Sequence, residues 1–77
     1  MEAKDLDPRL IKIADKIKQL RKDAGYTSYE TFAFENDLPR QHYWQIEKGA
    51  NITMNTLFRI LDIHGLSVGE FMTTINV

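Results

Sequence analysis

Pro39-Arg40-Gln41-His42-Tyr43-Trp44-Gln45-Ile46-Glu47-Lys48-Gly49 is the stretch on which the fold of this chain is decided. Proline has a fixed φ that suits a helix start, and glycine readily takes the left-handed conformation in which helices end. The segment between them, Arg40 to about Lys48, therefore reads as one short helix. At about 100° per residue its side chains divide in two. His42, Tyr43 and Ile46 fall on one side, and Arg40, Gln41, Trp44, Gln45 and Lys48 fall within about 140° on the other. The second face holds groups that can read a duplex. Arginine matches guanine O6 and N7 bidentately, glutamine matches adenine N6 and N7, and an aromatic group meets a thymine methyl. An ordinary solvated face is the competing reading, and Trp44 weighs against it because tryptophan is costly to leave in water.

Working outward, Asp7-Pro8 reads as a helix start and Gly25 as the matching stop. Between them Leu10, Ile13, Ala14, Ile17, Leu20 and Ala24 share an arc of about 120°, the mark of an amphipathic helix on one core. Arg21 falls inside that arc, and a buried arginine requires a carboxylate from elsewhere in the core. Tyr29, Phe32 and Ala33 place a short helix next, capped by Thr27 or Ser28. Asn36-Asp37 tolerates the left-handed turn that would end it. Beyond Gly49, Asn51 to Thr53 reads as a loop or cap. Met54, Leu57, Phe58, Ile60, Leu61 and His64 share one face of a fourth helix that Gly65 ends. Ser67-x-x-Glu70 is a capping box for a short fifth helix carrying Val68 and Phe71.

The expected architecture is all-α, five helices in one small domain. A chain of 77 residues buries only about 60 to 65% of its unfolded surface, which leaves room for one core and no large enclosed active site. There is no cysteine, hence no disulfide, thiolate zinc site or cysteine nucleophile, in keeping with a reducing, cytoplasmic location. The start, Met1 to Asp7, is short and acidic, unlike a signal peptide, and no apolar run approaches a membrane span. Catalysis has thin support. The nearest acid–base cluster, His42 with Glu47, is spaced so that the two turn away from a shared face, and neither a phosphate-cradling loop nor a metal-ligand spacing occurs. No catalytic residue, metal, cofactor or small-molecule ligand is expected. His64 is read as a core or helix-capping residue.

The order and spacing of several pieces resemble the phage-repressor-like helix-turn-helix family of Cro and Xre type, from about Leu10 to Phe71. These pieces are Leu20-Arg-x-x-x-Gly25, Ala33, Ile46-Glu-Lys-Gly49, and Leu66-Ser-Val-x-Glu-Phe71. The resemblance implies a compact lambda-repressor-like DNA-binding domain over 8–72, with the helix-turn-helix at about 28–48 and terminal tails at 1–7 and 73–77. Its third helix would lie in the major groove, with Arg40, Gln41, Trp44 and Gln45 at base edges. Lys48, Asn51 and Thr53 match positions that meet phosphate. Ser28 is the nearest candidate for a further phosphate contact at the second helix, with Thr27 and Tyr29 as alternatives, because the chain from Gly25 to Ala33 is one residue longer than the family pattern. The family also pairs a first-helix arginine with a third-helix glutamate, here Arg21 with Glu47, in a structural role. Pro39 stands where a serine or threonine cap is usual.

The implied function is sequence-specific double-stranded DNA binding by a small, repressor-like transcription regulator. The competing reading is a protein-interaction module, or an antitoxin-like partner, on the same fold. Net charge bears on the choice, since DNA-binding domains usually carry a basic excess and this chain has a formal charge of −1. By segment, Pro8 to Ala24 carries +4 and Gly25 to Asn51 carries −2. Glu47 is expected to be tied up by Arg21, and Glu30, Glu35 and Asp37 are expected to face away. So few basic residues make a second copy valuable, because a two-fold homodimer doubles the contacts. The apolar end, with Phe71, Met72, Ile75 and Val77, either meets such a partner or packs on its own core.

Overall fold

The computed structural model describes residues 7–75, and these form α1 (Pro8–Asp23), α2 (Tyr29–Glu35), α3 (Arg40–Glu47), α4 (Met54–His64) and α5 (Val68–Ile75). No strand occurs among the described residues. Local chemistry accounts for most of the helix ends. The Asp7 carboxylate accepts the Arg9 backbone N–H at 2.8 Å and pairs with the Arg9 guanidinium at 2.7 Å. These bonds hold its carboxyl down to about 2. Ser28 Oγ accepts from the N–H groups of Glu30 and Thr31, and Thr53 Oγ1 accepts from Thr56. Ser67 and Glu70 bond reciprocally, at 3.1 and 2.9 Å. After α2, Asp37 alone among the non-glycine residues described takes a positive φ, +56°. It lets the Leu38 N–H reach back to the Ala33 carbonyl at 2.8 Å and so closes the helix. Gly49, at φ +97°, plays the same part behind α3.

The core is built around Ile17 of α1, Phe32 and Ala33 of α2, Tyr43 and Ile46 of α3, Leu57, Ile60 and Leu61 of α4, and Phe71 of α5. Four positions depart from the angular reading. Ala24 is exposed because it is the C-cap, where the chain leaves the helix and the core. Met54 and Phe58 are 52% and 43% exposed. They lie about 70° and 110° from the middle of the buried face of α4, outside the stripe that the other helices cover. His42 is exposed as well, at the rim of the groove between α3 and α4, beside Thr56 and Arg59. At the other end, α5 runs through Ile75 and takes in three residues assigned to a tail. Met72 and Ile75 pack against the chain's own core. Val77 and residues 1–6 lie outside the described residues.

Arg21 is 4% exposed. Its Nε donates to Glu47 Oε2 at 2.7 Å, its Nη2 to Glu47 Oε1 at 3.2 Å and its Nη1 to the Tyr26 carbonyl at 2.8 Å. One guanidinium thus ties the end of α1, the loop that follows it and the last residue of α3. The carboxylate holds the guanidinium's pKa above its ordinary value. Tyr43 reaches the same region, and burial, reinforced by the Glu47 charge, pushes its phenol well above the usual range. His64 stacks on Phe32, with ring centres 5.3 Å apart and planes within 5° of parallel. Its Nε2 is buried without a hydrogen-bond partner among the described residues, and burial lowers its pKa.

Two outcomes follow from these buried groups. Arg21→Met or Glu47→Gln alone leaves an uncompensated buried partner and should lower unfolding free energy by about 3 to 5 kcal/mol, whereas replacing both with apolar residues should cost less than either single change, as read by urea denaturation. The histidine sets a pH limb. Because its folded pKa lies below the unfolded value of about 6.5, the unfolded chain takes up a proton that the folded chain refuses. Its contribution is whole above about pH 6.5 and declines on acidification, so the urea midpoint should fall between pH 7.5 and 5, and His64→Phe should flatten that fall. Asp7 and Glu70, whose carboxyls are held low, act only at more acidic pH.

Candidate nucleic-acid interface

With Tyr43 and Ile46 buried at 1% and 2% exposure, the inward face of α3 is committed to the core. The opposite face is committed to solvent. Arg40, Gln41, Trp44, Gln45 and Lys48 are all exposed, and they follow one another along a helix about 12 Å long. Gln41 and Gln45 stand one turn apart, and neither amide makes a hydrogen bond among the described residues. Trp44 is 38% exposed, and Lys48 Nζ lies over its ring, 5.4 Å from the centre. That contact keeps the indole face occupied and holds the lysine along the helix. α3 begins at Pro39 with no side-chain cap, so its first N–H groups are not engaged by a capping side chain.

The remaining residues singled out by the resemblance sit at helix starts and in the loop behind α3. Ser28 is the N-cap of α2, and its hydroxyl oxygen already accepts two backbone N–H groups, which leaves the hydroxyl proton as its one donor. Asn51 is exposed in the loop between α3 and α4. Thr53 caps α4, and its hydroxyl also donates to Thr56 Oγ1 at 2.9 Å. A phosphate contact from Thr53 would therefore have to displace that bond or use its backbone N–H. Arg40, Gln41, Trp44, Gln45 and Lys48 thus share one helix face, while Ser28, Asn51 and Thr53 come from the elements on either side.

Two further participants were missed in the sequence. Glu30 does not face away: its Oε2 lies 3.5 Å from Arg40 Nη1. Arg59 reaches from α4 to donate to the Asp37 carbonyl, bracing the turn that sets the angle between α2 and α3. Neither pairing leaves a mark in local spacing, since the partners are 10 and 22 residues apart. Of the other acids in this segment, Glu35 accepts a hydrogen bond from the Tyr26 hydroxyl at 3.0 Å, and Asp37 is exposed in the turn. Among the described residues no group of three or more His, Cys, Asp or Glu side chains is placed to hold a metal ion, and no helix is long and apolar enough to cross a membrane.

No family model matches the chain, and no solved structure matches it. Among curated proteins it is similar to the protein named Control protein C.MunI from a Mycoplasma species, with 35% identity over 66 residues that cover 84% of this chain and 89% of that protein. The match takes in nearly the whole length of both, so the chain belongs to the same family as that control protein.

Proposed function

We propose that the protein is a sequence-specific double-stranded DNA-binding transcription regulator, with α2 and α3 as a helix-turn-helix and α3 laid in the major groove. The observation that carries this reading is the outward face of α3. It holds two amides, a guanidinium, an ammonium and an indole along a helix whose opposite side is anchored in the core by Tyr43 and Ile46. Membership in a control-protein family supports a regulatory role. Arg40, Gln41, Trp44 and Gln45 read base edges, and Lys48, Asn51, Thr53 and Ser28 meet phosphate. The binding unit is a two-fold dimer whose half-sites lie about 34 Å apart. Met54 and Phe58, one turn apart on α4 and left in water by a single chain, give the second copy an apolar surface. No catalytic step, cofactor or small-molecule ligand enters this mechanism.

A second reading, a protein-interaction module on the same fold, is favoured by Phe34. It is 83% exposed on the outer side of α2, on the same helix as Glu30 and Glu35. Tight binding to a protein partner that DNA does not affect would favour it.

Selection from a randomised duplex pool at low salt tests the leading reading. The wild type should enrich one motif with two-fold symmetry, and Gln41→Ala should change the preference at one position in each half. Lys48→Ala should weaken all duplexes about equally and lower the salt slope by about one for each subunit bound. Absence of enrichment at any salt, or an unchanged motif with Gln41→Ala, refutes the assignment of this face.

A further inference from the structure

The contact between Glu30 and Arg40 is poorly explained as a stabilising device. The two side chains are 56% and 66% exposed and 3.5 Å apart, and ion pairs of that exposure add next to nothing to stability. Nor does Glu30 help a nucleic-acid surface by its charge, because a carboxylate beside the start of α3 repels phosphate. What the contact does is bias the direction of Arg40. It runs from the first turn of α2 to the first residue of α3, across a groove that Thr31, Phe34 and Leu38 also line. It engages Arg40 Nη1, and among the described residues the Nε and Nη2 donors make no hydrogen bond. A guanidinium can give one donor to a carboxylate and still present two parallel N–H groups along another edge. Two parallel donors are what guanine O6 and N7 accept.

We propose that Glu30 is a positioning residue for Arg40: it holds the guanidinium by one nitrogen so that the remaining edge addresses a guanine, and its negative charge keeps that arginine off neighbouring phosphates. The inference rests on the major-groove reading of α3 and adds specificity to it. An arginine free to swing contributes affinity for any duplex, whereas one held by Glu30 contributes affinity mainly where a guanine stands in reach.

The test compares wild type, Glu30→Gln, Glu30→Ala, Arg40→Ala and the double variant Glu30→Gln/Arg40→Ala by selection and by titration of single-base variants of the enriched duplex. Because Glu30 is exposed, the single variants should keep the wild-type circular dichroism spectrum. Both Glu30 variants should bind random duplex several-fold more tightly, as expected when a repelling charge is removed. At the one base pair whose preference Arg40→Ala abolishes, they should discriminate about tenfold less well, within the range a bidentate pair supplies. The other positions should hold, and in the Arg40→Ala background Glu30→Gln should change no preference. The proposal is overturned if preference at that pair survives in both Glu30 variants, if all positions weaken together, or if the effect persists without Arg40. A wild type that enriches no motif defeats the reading of α3 itself, whereas a motif indifferent to Glu30 leaves that reading standing and removes only this residue.

Discussion

The two bonds from Arg21 to Glu47 are the constraint on which the presentation of α3 depends. Helices of seven or eight residues, the lengths of α2, α3 and α5, are too short to persist alone in water, where about 12 to 15 residues are marginal. Their geometry is borrowed from packing. α3 has only Tyr43 and Ile46 as fully buried anchors, and both lie on the side away from the exposed face. A third hold at Glu47 fixes the helix against rotation. The hold comes from α1, the one long helix, and the same guanidinium also takes the Tyr26 carbonyl. Movement of α1, of the loop after Gly25 or of α3 would therefore break a charge-assisted bond in a nearly dry setting.

Net charge reads differently once the partners are known. The chain's −1 includes acids already spoken for: Glu47 by Arg21, Asp7 by Arg9, and Glu35 by the Tyr26 hydroxyl. Of the two cations on the outward face of α3, Arg40 has a carboxylate beside it in Glu30, while Lys48 lies over the Trp44 ring and keeps its charge. With one cation offset by a carboxylate and one left, bulk attraction to a polyanion is modest on this face. The Gln41 and Gln45 amides, which make no hydrogen bond among the described residues, add donors and acceptors to this face that carry no charge.

Helix existence, order and ends were legible in the sequence because they rest on contacts within a few residues: Asp7-Pro8, Ser67-x-x-Glu70, the glycines after α1, α3 and α4, and Asn36-Asp37. The buried stripe was legible at its middle and not at its edges. Periodicity groups residues within a wide arc, but only neighbouring helices decide how much of the arc is covered, and on α4 they leave Met54 and Phe58 outside. Likewise His42 lies nearer the rim than the centre of its face. The outward face of α3 followed from angle alone, whereas Glu30 and Arg59 entered through a turn whose geometry depends on Asp37 taking φ +56°. Spacing in sequence carries no trace of that angle.

α3 is held by two ion pairs of opposite character, and solvent exposure separates their duties. Arg21–Glu47 has side chains 4% and 7% exposed, while Arg40–Glu30 has 66% and 56%. Breaking a buried pair by loss of one partner costs about 3 to 5 kcal/mol, a large share of the stability of a small domain, so the first pair is in place whenever the chain is folded. An exposed pair is worth about 1 kcal/mol or less, so the second can open and re-form while the core stays intact. The helix is therefore fixed from behind by a contact it cannot lose and tuned in front by one it can exchange. A substitution on the outward face can accordingly alter the chemistry that α3 presents without disturbing how it is held, and the two properties are open to separate measurement.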